Sequence, residues 1–399
     1  MDYPERRLDE YTEDTAPGRG SVDAPFLLLT LLLLTIGVVM VLSASFARAY
    51  YSASTNHTAT YYFTRQLVFA LAGVGIMLLA SRFPVGFYRR IAVPLYLFAC
   101  VMLLLVLIGG ERANGARRWF KIGGIQFQPS EIAKVALILF DARLVLRFQD
   151  RMKTFKYGVV PFVFTAAVII GLLVFEPHFS AAIIIILITA VMMFAGGTRG
   201  IWFVLGGAAV GALAVAVLTS GGYTSERITA WQDPFADTSD TGYQIVQSLY
   251  AIGSGGLTGL GLGASRQKYL YLPEEHNDFI FSVVCEELGF VGATLILLLF
   301  ALLIARGFWL ALHCRDRFAF LVCTGITALL AFQVILNVAV VTNLIPCTGI
   351  SLPLFSYGGT ALLLQLGELG IVLSISREIP EKKYFRDRRP RSGERGAEI

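Results

Sequence analysis

The sequence predicts an all-α integral membrane protein of about ten transmembrane helices, with a long structured outer loop between the seventh and eighth. Three observations lead there. Hydrophobic residues make up 56% of the 399-residue chain and charged residues only 15%, and mean hydropathy is +0.67, far from the composition of a soluble domain. Apolar runs long enough to cross a bilayer recur along the chain. Most polar residues gather between those runs.

The runs fall near 26–45, 66–82, 91–110, 131–148, 159–175, 180–197, 201–219, 278–308, 317–342 and 359–376. They define a membrane domain over 26–376. Residues 1–25 are polar, with mixed charge. They lack the basic start and early apolar core of a cleaved signal peptide and read as a disordered cytoplasmic tail. Residues 377–399 form a basic cytoplasmic tail, with Lys382, Lys383, Arg386, Arg388, Arg389, Arg391 and Arg395 suited to anionic membrane lipid.

Lysine and arginine set the orientation. With the N-terminus inside, 23 of the 33 cations fall in inner segments and nine in outer ones, while Lys134 lies within the fourth run. Both termini are therefore expected in the cytoplasm of a bacterial cell. The outer connection 111–130 breaks the bias with Arg112, Arg117, Arg118 and Lys121. Such a loop either folds against outer acids or meets an anionic ligand.

Gln128-Pro129-Ser130-Glu131 opens the fourth helix. Glu131 and Lys134 are spaced i, i+3 on one face. They make a neutralised ion pair or the charged wall of an outward cavity. The outer loop 220–277 is the one long connection, and loops of that length are usually functional or disordered. Its aromatics (Trp231, Tyr243, Tyr250, Tyr269, Tyr271) argue against disorder. Its glycine-rich run from Gly253 to Gly263 has no following Lys-Ser/Thr and no preceding strand, so it is not a phosphate loop. It suits backbone packed near the membrane surface, or a re-entrant segment buried in protein. Arg266 and Lys268 follow.

Next comes Pro273-Glu274-Glu275-His276-Asn277-Asp278, running straight into Phe279-Ile280-Phe281, with Glu286 and Glu287 two turns further in. Acids at a membrane helix are costly unless water, a partner or a ligand meets them. Asn277 or Asp278 can serve as a helix cap, and a cap does not exclude a catalytic carboxylate. The unusual charge thus concentrates in outer loops and helix mouths. The last polar stretch, Pro346 to Gly359, holds two prolines and several glycines and hydroxyls, so it forms a bent outer loop. There Ser356 and free amides could take an anion or simply make a tight turn. The five cysteines and four histidines are scattered, with no metal spacing.

Together these stretches resemble the SEDS family (shape, elongation, division and sporulation), typified by FtsW, RodA and SpoVE. The motifs are Arg117-Arg118-Trp119, Gln128-Pro129-Ser130-Glu131, Gly242-Tyr243-Gln244, Gly253-Ser254-Gly255-Gly256, Leu272-Pro273-Glu274 through Asp278-Phe279, Glu286-Glu287-Leu288-Gly289, and Leu352-Pro353 with Ser356-Tyr357-Gly358-Gly359. The segments Val39–Ser45 and Tyr62–Gln66 look closer to FtsW and SpoVE than to RodA. The resemblance implies a glycosyltransferase that polymerises Lipid II into lipid-linked glycan strands. It also implies a class B penicillin-binding protein as transpeptidase partner, among divisome or elongation proteins. The family's catalytic aspartate falls on Asp278. Arg118, Arg266 and Lys268 would face pyrophosphate, with Glu131, Lys134, His276 and Ser356 as further substrate-binding candidates. A divalent cation, magnesium or manganese, is compatible with such a substrate, although no protein ligand set is visible. Nucleic acid is not an expected partner. The alternative is a transporter, either a Lipid II flippase or another carrier, since membrane acids and a broken helix fit carriers as well.

Overall fold

The computed structural model describes residues 20–113, 116–122, 125–219, 231–236 and 242–379. Most of both tails and the outer-loop residues 220–230 and 237–241 lie outside the described residues. Helices stand at all ten apolar runs. In chain order the helices are α1 (Ala24–Tyr51), α2 (Tyr61–Ala80), α3 (Val85–Gly109), α4 (Pro129–Phe148), the short α5 (Phe155–Gly158), α6 (Val160–Phe175), α7 (Phe179–Gly196), α8 (Gly200–Thr219), α9 (Tyr243–Gly255), α10 (Ile280–His313), α11 (Arg317–Val341) and α12 (Gly359–Ser376). Among the described residues, eight helical segments are long and apolar enough to cross a membrane. Helix α4 is more polar, because Glu131, Lys134, Asp141, Arg143 and Arg147 interrupt it. Its middle, Ala136 to Leu139, is fully buried, so neighbouring helices rather than lipid surround it.

Local chemistry starts these helices. Asp23 accepts the Phe26 amide at 2.9 Å to cap α1, and Asp316 does the same for Phe318 at 2.9 Å in α11. Pro129 occupies the first turn of α4, where its missing N–H costs nothing.

The connection 111–130, read from the sequence only as an outer loop, has regular structure. It is a three-stranded antiparallel sheet of β1 (Glu111–Ala113), β2 (Ala116–Ile122) and β3 (Ile125–Phe127). The missed signal is Asn114-Gly115 and Gly123-Gly124, two-residue connections of the type that joins hairpins. Arg117 Nη1 donates to Leu107 O at 3.1 Å, and Thr360 Oγ1 donates to Gln126 O at 2.6 Å. The sheet is thereby fastened to α3 and α12.

The glycine-rich run is packed against α10. Leu260 N and Gly261 N donate to Glu286 O and Glu287 O at 3.0 Å, and Phe290 N and Val291 N donate to Gly256 O and Leu257 O at 2.9 and 3.1 Å. Helix α10 breaks at Gly289, whose φ is +67°. A side chain there would strike the Gly259 backbone, so both the φ and the close approach require glycine. Glu286 lies six residues beyond the start of α10, about 9 Å along the helix. At the opposite end the residues flanking the helical domain meet: Gly20 N donates to Arg377 O at 3.0 Å, and Arg377 Nε donates back to Gly20 O at 3.1 Å. The start of α1 and the end of α12 therefore share one face.

Candidate active site at the outer end of α10

Asp278 sits in the turn before α10 and is half-buried. It does not cap the helix. The cap position is Phe279, which makes no side-chain cap bond, and the Asn277 side chain instead donates to Glu274 Oε2 at 2.5 Å. The capping role expected for Asn277 or Asp278 is thereby corrected: the chain enters α10 through a tight turn in which Asn277 N and Phe279 N both reach Glu274 O. Among the described residues nothing hydrogen-bonds to the Asp278 carboxylate. Burial pushes its pKa up to about 6, the Glu274 charge adds to the rise, and Arg118 opposes it. Burial thus outweighs the pull of the Arg118 charge.

Arg118, on β2, reaches over the turn between α6 and α7. Its Nε donates to Glu176 O at 3.1 Å, and its Nη2 donates to Pro177 O. Its charge acts on Asp278, Glu176 and His178 together. Both Glu176 carboxylate oxygens are buried without a hydrogen-bond partner among the described residues. Burial pushes that carboxyl up to about 8. His178 is held down to about 3, first by burial and then by the charges of Arg118 and Lys134. Its Nε2 lies 3.4 Å from Gln128 Nε2, and Ser180 Oγ donates to Thr348 O. The α6–α7 turn therefore joins the start of α4, β2 and the loop after α11 around the Asp278 side of the molecule. The pair Glu131–Lys134 closes at 2.7 Å, with both residues buried.

Residues 24–381 match the family of FtsW, RodA and SpoVE, the cell cycle proteins. The chain belongs to the FtsW/RodA/SpoVE family. It is 41% identical over 371 residues to the stage V sporulation protein E of Bacillus subtilis, covering 92% of this chain and 98% of that one. It is 40% identical over 356 residues to a probable peptidoglycan glycosyltransferase FtsW of Trichlorobacter lovleyi, covering 89% and 93%. Among solved structures, one from a peptidoglycan synthase complex aligns with a TM-score of 0.73 at 30% identity, covering 89% of this chain and 98% of that one. The crystal structure of the rod shape determining protein RodA of Thermus thermophilus aligns at 0.68 and 29% identity, covering 92% and 100%.

Other residues singled out in this FtsW/RodA/SpoVE chain lie differently from the sequence reading. Lys268 is not on the outer surface: it is 2% exposed, and its Nζ donates to Gly263 O at 2.6 Å, Glu287 Oε1 at 2.9 Å and Ser43 Oγ at 3.2 Å. All three ammonium hydrogens are committed. Glu286 accepts from Ser265 Oγ at 2.5 Å and from the Arg266 amide at 3.0 Å. Glu286 and Glu287, two turns into α10, thus find their partners on the segment 265–268. Arg266 is exposed. His276 is buried, its ring 4.7 Å from Tyr62 and 5.7 Å from Tyr357. The Ser356 hydroxyl donates to Asn277 O and accepts from Leu352 N, both at 2.8 Å, so its hydrogen is spent within the protein. Residues the sequence reading missed are Glu176, His178 and Asn337. A polar Asn inside the apolar run 317–342 was the available signal for the last.

Among the described residues no group of three or more His, Cys, Asp or Glu side chains gathers as a metal cage.

Proposed function

We propose that this chain is a peptidoglycan glycosyltransferase that polymerises Lipid II into β-1,4 glycan strands at the outer face of the cytoplasmic membrane, for division or shape. The observation that carries the reading is Asp278: a half-buried carboxylate with no hydrogen-bond partner among the described residues, raised to about 6, with the Arg118 charge acting on it. Relatives named as FtsW glycosyltransferases support it.

In this reaction the acceptor's 4-hydroxyl attacks the anomeric carbon of the lipid-linked chain. The new O4–C1 bond forms as the C1–O bond to pyrophosphate breaks, and the electron pair leaves with the lipid pyrophosphate. Asp278 takes the hydroxyl proton. One carboxylate suffices for a single inverting displacement, and a base with a pKa near the working pH is the efficient one. Arg118 stabilises the charge on the leaving pyrophosphate. A magnesium or manganese ion would arrive with that pyrophosphate as part of the substrate, since such ions bind through substrate phosphates and few protein groups.

Asp278→Asn tests the assignment. The substitution keeps side-chain size and removes no helix cap, so the fold should persist. Polymerisation of Lipid II should fall at least a hundredfold, the usual scale for losing a general base being about 10²–10⁴, while Lipid II binding remains. Near-normal polymerisation by the folded variant would end the assignment. A flippase would instead show transport with no polymerisation to lose.

The partner is a class B penicillin-binding protein supplying the transpeptidase step. The similarity to a structure from a peptidoglycan synthase complex supports this reading. Failure to co-purify with any penicillin-binding protein from native membranes would count against it.

A further inference from the structure

Three successive carbonyls precede α10, and each is held from outside its own segment. His276 O accepts from Tyr357 N at 2.8 Å, Asn277 O from Ser356 Oγ at 2.8 Å, and Asp278 O from Asn337 Nδ2 at 2.7 Å. These carbonyls lie ahead of the α10 ladder, in a turn packed into protein. Left unpaired there, each would cost the desolvation of a buried polar group. The donors come from two elements. Ser356 and Tyr357 belong to the loop between α11 and α12, and Asn337 belongs to α11.

Asn337 does more than satisfy a carbonyl. It is fully buried, and the same Nδ2 also donates to Ile350 O at 2.6 Å. One amide group therefore ties Asp278 to the turn after Gly349. That turn forms the near wall of the Asp278 side chain: Gly349 has φ +67°, and a Cβ on it would stand 3.2 Å from Asp278 Oδ2. The amide orientation is fixed, because the flipped form would set its oxygen against two carbonyl oxygens. Among the described residues Asn337 Oδ1 has no hydrogen-bond partner, so the side chain's bonding there serves this bridge. The loop itself is anchored: Gln66 Nε2 donates to Ser356 O at 3.2 Å, and Leu354 N donates to Gln365 Oε1 at 3.1 Å. Asp278 is thus clamped from below by α11 and from the side by a loop pinned to α2 and α12.

We propose that Asn337 is a positioning residue for the glycosyl transfer: its amide bridges Asp278 O and Ile350 O and so holds the Asp278 carboxylate at a fixed height and distance beside the Gly349 turn. Asn337 touches no substrate. It acts through Asp278, and the proposal rests on the assignment of Asp278 as base. Placement errors of about 1 Å are enough to cost about a hundredfold in rate.

The experiment uses the full-length chain with Lipid II as substrate, reading kcat, KM, Lipid II binding and melting temperature. Asn337→Leu keeps the volume and branching but removes both donors, and Asn337→Ala removes volume as well. Both should lower kcat tenfold or more with KM and Lipid II binding unchanged. The double variant Asn337→Leu/Asp278→Asn should polymerise no more slowly than Asp278→Asn alone, because a residue that works through the carboxylate has nothing left to position. A residue that serves stability alone would slow the double variant further or raise KM, and either result overturns the proposal. Asn337→Leu at wild-type kcat beside an inert Asp278→Asn overturns the positioning role and leaves the base assignment standing. Wild-type polymerisation by Asp278→Asn removes the base and the positioning role with it. If neither position-337 variant is recovered folded, Ser356→Ala reads the neighbouring clamp. It frees Asn277 O and should lower kcat at constant KM, whereas an unchanged kcat there overturns the clamp.

Discussion

Asp278 is set by its surroundings rather than by its residue type. Its carboxyl is raised to about 6 by burial and then by Glu274, while Arg118 pulls it down. The base works ionised, so polymerisation should fall as pH drops through about 6. Glu274→Gln removes a like charge and should move that acid limb to lower pH. A pH–rate profile that keeps its limb in the variant would contradict the coupling. Arg118→Ala has the opposite electrostatic sign. It should also raise the Lipid II concentration needed for half-maximal rate tenfold or more, since charge-assisted contacts to phosphate are worth about 1.5–3 kcal/mol. An unchanged substrate dependence would remove Arg118 from the site. Lys268 cannot share the role in this arrangement, because its hydrogens are spent on Gly263, Glu287 and Ser43.

At the scale of elements, the glycine-rich run and the broken α10 form one unit, locked by Lys268 and Glu287 at 2.9 Å. Both side chains are almost completely buried. Removing one partner of such a pair typically costs about 3–5 kcal/mol, because the other charge is stranded. Lys268→Met should therefore lower the melting temperature in detergent sharply, and Lys268→Met/Glu287→Gln should recover much of the loss. Equal destabilisation by the single and double variants would show that the pair is not coupled. The pair Glu131–Lys134 was legible in sequence because i, i+3 spacing puts both residues on one face. The pair Lys268–Glu287 was not, because the turn-rich stretch 269–279, whose path the sequence does not specify, separates its members.

For the whole molecule, Gly20 and Arg377 exchange hydrogen bonds, so both ends of the helical domain lie on one face. From the arginine and lysine bias we propose that this face is the cytoplasmic one. Pro390→Cys, in a chain whose five native cysteines are replaced, should resist an impermeant thiol reagent in intact spheroplasts and label only after permeabilisation. Labelling in intact cells would reverse the orientation.

Sequence alone determined the membrane class and where the apolar helices fall, because a bilayer demands long apolar runs and each run declares itself locally. It also pointed to Asp278, Arg118 and Glu131–Lys134, since charge beside such runs is conspicuous. Only the tertiary structure decided which charges are spent and which are open. Ser356 and Lys268 proved to be occupied by distant backbone and side chains, whereas the Asp278 carboxylate has no hydrogen-bond partner among the described residues. Asn337 gained its role from carbonyls 59 and 13 residues away. A hydrogen bond is a matter of a few tenths of an ångström and of direction, and sequence spacing does not carry that information across a folded chain.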